Sequence, residues 1–191
     1  MFDWPLWQHD LIALQWCVVI GAALIAAITD VQSGRISNRL TGPLWIGGLI
    51  WATWVGGPLG LAESAAACVV LALPFVLLFV FAGGGAGDAK LMGAIGAWTG
   101  MAGGLIALAS VALAGGALAL VFALTQRRAR VMFANMTAMT TNLMVTIASP
   151  RKDREERPLA IVSTDEMQTM PYGVAILTGV VVASMVVFSC V

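Results

Sequence analysis

The chain has 191 residues with no net charge; 60% are hydrophobic, only 10% are charged, and the mean hydropathy is +0.92. So few polar side chains cannot coat a water-soluble globule, and the composition predicts an all-α, polytopic integral membrane protein, one domain over residues 1–191. With no excess of basic residues to neutralise phosphates, the charge balance argues against nucleic-acid binding.

The opening residues MFDWPLWQHD hold acids and no Lys or Arg, unlike the basic start of a cleavable signal peptide, so this segment is expected to be retained. Residues 11–29 are long enough to cross ~30 Å of hydrocarbon, and Asp30 is expected to end that helix. After the loop DVQSGRISNR comes a second span, 40–54, with Pro43 in its first turn and Gly56-Gly57-Pro58 as its exit. A third span, 65–82, carries Pro74 as a predicted kink. Three glycines at 83–85 stop it, and residues 88–98 form a short apolar segment opened by Asp88. A turn at 100–104 leads to a fifth span, 103–124, rich in glycine and alanine. Such a face suits close packing, either within the chain or in a homo-oligomer. Residues 131–148 place Met132, Met136, Met139, Leu143 and Ile147 at helical spacing, which predicts a short amphipathic helix on the membrane surface. A seventh span there would export the basic run 151–157. Residues 172–191 make the last span.

Basic residues mark the cytoplasmic side. Arg35, Arg39, Lys90, Arg127, Arg128, Arg130, Arg151, Lys152, Arg154 and Arg157 all fall on one side if residues 88–98 cross, while Asp3, Asp10 and Glu63 fall on the other. Six crossings follow, with both termini outside. Trp4, Trp7, Trp51, Trp54 and Trp98 then gather near the outer interface as an aromatic belt. Cys17, Cys68 and Cys190 lack the spacing of a zinc site or a disulfide framework and read as small apolar residues.

This topology sets Asp30 and Asp88 at the same depth, on the inner side. Asp88 sits in FAGGGAGDAK, where glycines leave room for an extended peptide beside a carboxylate. A helix N-cap is the plainer role for Asp88, and pairing with Arg35 or Lys90 the plainer role for Asp30. Asp30 nevertheless lies at the unfavourable pole of its own helix, and the two acids together point to chemistry. A carboxyl pair sharing a proton can hydrolyse an amide without metal or cofactor: the ionised member takes a proton from water while the other protonates the scissile carbonyl. The poles of their own helices are expected to make Asp88 the base and Asp30 the acid. The only His, His9, falls on the outer side, so neither a Ser/His pair nor an HExxH zinc site can form. Two other classes stay open: a proton-coupled transporter using Asp30 and Asp88, whose acids should lie near mid-membrane, and a noncatalytic assembly subunit.

At these residues the sequence resembles the prepilin peptidases, the bacterial branch of the GxGD intramembrane aspartyl proteases. Gly85-Ala86-Gly87-Asp88-Ala89-Lys90-Leu91 resembles the second aspartate motif of that family, Asp30 with Arg35-Ile36-Ser37-Asn38 the first, and Pro171-Tyr172-Gly173 a third element. The resemblance implies a bacterial inner-membrane enzyme with periplasmic termini. Its substrates would be prepilins or pseudopilins, presented with membrane lipid around them and cut at the cytoplasmic face to remove a short basic leader. Asp30 and Asp88 would be the catalytic dyad, Gly85 and Gly87 would shape the substrate cleft, and Arg35, Asn38 and Lys90 would support it. Ser37 stands where the family often has Pro. The cysteine-rich domain of larger members is missing, so no methyltransferase activity is expected, and the short form resembles the peptidases of Flp-type tight-adherence pili.

Overall fold

A computed structural model describes residues 6–82, 85–125 and 172–190. They form four helices: α1 (Leu6–Ser33), α2 (Asn38–Ala82), α3 (Ala86–Thr125) and α4 (Tyr172–Cys190). All four are long and apolar enough to cross a membrane. In hydrocarbon the backbone must satisfy its own polar groups, so apolar runs of this length settle as helices. The surface helix expected at 131–148, the seventh-span alternative, the basic run 151–157 and Pro171 lie outside the described residues.

Two of the four helices, α2 and α3, are far longer than one crossing needs. A straight helix of 45 residues, the length of α2, would extend about 68 Å, against ~30 Å of hydrocarbon. Its one non-helical residue is Gly57, at φ 62° and ψ −151°, a region closed to side chains bearing a Cβ. A methyl group added at Gly60 would stand 2.5 Å from the Ala52 carbonyl oxygen. Along a straight helix those residues would be about 12 Å apart, so α2 doubles back at Gly57. α3 breaks in the same way at Gly100, where φ is 64° and ψ is −167°.

Contacts fix the directions of the resulting stretches. Gly93 packs on Trp45 and Gly48 on Ala97, so the leading parts of α2 and α3 run the same way. Gly96 meets Ala67 and Gly93 meets Cys68, so the trailing part of α2 runs back beside them. The approach is backbone to backbone: a methyl group at Gly96 would lie 2.7 Å from the Ala67 carbonyl oxygen. Lipid is as apolar as leucine, so such small-residue contacts, rather than burial of oily surface, hold the helices together. The core centres on α3, whose Leu91, Met92 and Ile95 are fully buried with Val111, Leu71 of α2, Val19 of α1, and Ile176 and Val180 of α4. α4 lies between α3 and α1, while α1 barely touches α2.

Several expected boundaries shift. α1 passes Asp30 and runs to Ser33; the stop is Gly34, at φ 62°, whose N–H donates to the Asp30 carbonyl at 2.7 Å. The third apolar segment is helical from Pro58, not from residue 65, because proline fits the first position after the break. Pro74 leaves the dihedrals of α2 helical. In the 100–104 turn only Gly100 leaves helical geometry, and the break is bound on both sides. Gln15 donates to the Trp98 carbonyl, and Glu63 accepts the Met101 N–H at 3.3 Å. Trp51, Trp54 and Trp98 cluster at this end, with Trp51 and Trp98 stacked at 5.9 Å between centroids. Cys68 is buried, whereas Cys17 and Cys190 face outward.

Candidate active site

At the opposite end α1 stops while α2, α3 and α4 begin. Asp30 in the last turn of α1 and Asp88 in the first turn of α3 both line a cavity of about 300 Å³. Gly34, Arg35, Ile36, Gly85, Ala86, Gly87 and Lys90 complete its described wall. The two carboxylates interact electrostatically across it. Of the residues singled out in the sequence, only Asn38 is not part of the wall, and it touches one that is. Lys90 Nζ donates to Asn38 Oδ1 at 2.9 Å.

Local chain geometry explains how each acid is presented. α3 starts at Ala86 rather than at Asp88, and the Asp88 N–H donates to the Gly85 carbonyl at 3.2 Å. Gly85 therefore holds the capping position, and Asp88 is the third helical residue. A Cβ on Gly85 would meet Asp88 Oδ2 at 2.7 Å, so the carboxylate folds back over Gly85 and a side chain there would displace it. Among the described residues no hydrogen bond restrains that carboxylate, which is not how an N-cap behaves. Gly87 is pressed against the loop after α1, where a Cβ would lie 2.9 Å from Ile36 Cβ. This contact brings the two acid-bearing segments together.

Asp30 is held differently from the two pairings its neighbours suggested. Its Oδ2 accepts the Gly173 N–H of α4 at 2.8 Å, and among the described residues neither Arg35 nor Lys90 forms an ion pair with it. The N-terminal pole of α4 thus faces Asp30 and offsets the C-terminal pole of α1. The expectation that Asp30 stands at an unfavourable pole considered only its own helix. Ser37, the departure from proline, caps α2: its Oγ accepts the Arg39 N–H at 3.2 Å.

Sequence reasoning missed Gly173 as a partner of Asp30 and Trp45 as a partner of Lys90, whose carbonyl accepts Trp45 Nε1 at 2.7 Å. The Pro171-Tyr172-Gly173 element was the available signal for Gly173. Tyr172 packs edge-on against Phe75 at 6.0 Å between centroids, a structural contact. Among the described residues no three His, Cys, Asp or Glu side chains gather as a metal site.

No curated protein and no solved structure matches the chain. A family model does: that of the type IV leader peptidase family matches residues 17–120, more than half the chain, from within α1 through nearly all of α3. That stretch carries both acids and every described residue of the cavity wall, and with it the chain belongs to the type IV leader peptidase family.

Proposed function

We propose that the protein is an aspartic-type endopeptidase that removes the short basic leader from type IV prepilins or pseudopilins of the Flp-like class. Family membership makes it a leader peptidase-type protease of the membrane. The observation that carries the finer reading is the convergence of Asp30 and Asp88, remote in sequence, on one cavity at one end of the bundle. One carboxylate takes a proton from water, and the hydroxyl so formed attacks the scissile carbonyl carbon as the other carboxyl protonates its oxygen. The tetrahedral intermediate then collapses: the C–N bond breaks, the departing amine takes a proton from the carboxyl that had accepted one, and a hydroxyl of the intermediate returns a proton to the other carboxylate, which restores the pair. Gly85 and Gly87 shape the cleft by letting the Asp88 carboxylate and the loop after α1 close in on them, and Arg35 and the Lys90–Asn38 pair line the approach of the peptide.

In this proposal the doubled-back α2 and α3 with α1 and α4 make six crossings of a bacterial inner membrane. The acids lie at the cytoplasmic face and both termini in the periplasm. Acids at the end of the bundle, rather than at its middle, fit a peptidase better than a transporter. The test is direct. Purified protein mixed with an Flp-type prepilin shortens it by the leader, and Asp30→Asn and Asp88→Asn each fold yet lose at least about a hundredfold in rate. Cleavage at the normal rate by either variant refutes the dyad.

A further inference from the structure

We propose that the N-terminus of α4 is the positioning element of the site, with the Gly173 N–H holding Asp30 as the base of the pair. This rests on the dyad reading above. The contact joins residues 143 positions apart, and α4 lies outside the stretch that matches the family model. The acid pair is therefore incomplete without a helix that the matched stretch does not contain.

Three features make the contact more than a passing one. The donor is a backbone N–H in the first turn of a helix, where no intrahelical acceptor exists for it, so Asp30 satisfies an orphan group as well as being oriented by it. Gly173 is itself buried and its approach is tight: a Cβ there would lie 3.0 Å from both Ala27 Cα and Asp30 Cβ, and 3.1 Å from Asp30 Oδ2. The arrangement is also one-sided, because Asp88 has no hydrogen-bond donor among the described residues. A backbone donor at a helix N-terminus stabilises the ionised form of the carboxyl it serves. The remaining charged groups on the cavity wall with Asp30 are Asp88 and Lys90 from α3 and Arg35 after α1, while the Tyr172 phenol of α4 feels Asp88; among the described residues none of them forms an ion pair with Asp30. Asp30 thus becomes the base and Asp88 the proton donor, the reverse of what the poles of their own helices suggest.

Tyr172 is the only tyrosine of the chain, so labelling tyrosine with carbonyl ¹³C and glycine with ¹⁵N isolates the single Gly173 amide in an NMR spectrum of the whole protein. Its proton signal is expected to move downfield as Asp30 ionises. The movement is lost in Asp30→Asn and kept in Asp88→Asn, and its midpoint coincides with the acidic limb of the kcat/KM profile of the unaltered enzyme. Gly173→Ala keeps the N–H, but its Cβ, 3.0 Å from Ala27 Cα and Asp30 Cβ, pushes the amide away from Asp30 Oδ2. Its kcat is expected to fall about ten- to hundredfold, the worth of one hydrogen bond to a charged group, with KM within about twofold. Gly21→Ala, at an open position of α1, is the control that leaves both unchanged. A Gly173 amide that ignores pH, or whose midpoint lies more than about one pH unit from the acidic limb, overturns the proposal on the unaltered protein alone, and one that still titrates in folded Asp30→Asn overturns it as well. If Asp30→Asn and Asp88→Asn both cleave normally, the dyad itself falls; if both are inactive and the amide is indifferent to Asp30, only the positioning role falls.

Discussion

Lys90 sits on the wall of the acid cavity, yet its ammonium is engaged by Asn38 and not by either carboxylate. The distinction matters because a cation beside the pair would favour ionisation of both members, whereas the proposed hydrolysis needs one of them to keep a proton. Asn38, first residue of α2, acts as a tether that keeps the positive charge on the rim. In Asn38→Ala the ammonium is free to swing toward the acids, so the protonated member gives up its proton at lower pH. The basic limb of the pH–rate profile is then expected to move to lower pH, and Asn38→Ala with Lys90→Met should restore it. A profile unchanged in the single variant contradicts the tether. Asn38 and Lys90 were singled out as supports of the site only through the family resemblance, as positions matching its two aspartate motifs, and their hydrogen bond to each other was not foreseen. Nor was the Gly173 contact, since no spacing rule links a backbone N–H to a carboxylate on a helix so distant in the chain.

Among the helices, the sequence located apolar runs well and their ends poorly, for a physical reason. Hydropathy reports which stretch prefers lipid, but the ends are set by single backbone positions: Gly34 stops α1 beyond Asp30, and Gly85 rather than Asp88 caps α3. The reversals were legible because glycines cluster there, although only one residue in each cluster leaves helical geometry. That residue can be tested. A methyl group at Gly57 meets no atom within 4 Å, so Gly57→Ala isolates the backbone term. At φ 62° and ψ −151° this substitution is expected to cost about 1–3 kcal/mol in thermal or denaturant unfolding in micelles. Gly21→Ala, equally uncrowded but within regular helix, should change stability little. Equal stability of the two variants would mean that Gly57 is not held in that conformation.

For the molecule as a whole, the placement of the site depends on α2 turning back, since only then do its two ends, and the acid that follows the second, lie on the same side as Asp30. Chemical labelling from one side of the membrane separates the alternatives. In a background with Cys17, Cys68 and Cys190 replaced, single cysteines at Arg39, Gly56 and Val80 sample the start, the bend and the end of α2; Val80 is 61% exposed. With the bend at Gly57, a membrane-impermeant maleimide added to intact cells reacts with Gly56→Cys, while Arg39→Cys and Val80→Cys react only after the membrane is opened. A helix that crossed once would carry Val80 beyond the outer surface and label from outside. It would also leave Asp88 on the far side of the bilayer from Asp30, where no carboxyl pair could form. The same labelling pattern therefore decides between a proteolytic site at the inner face and two acids with unrelated roles.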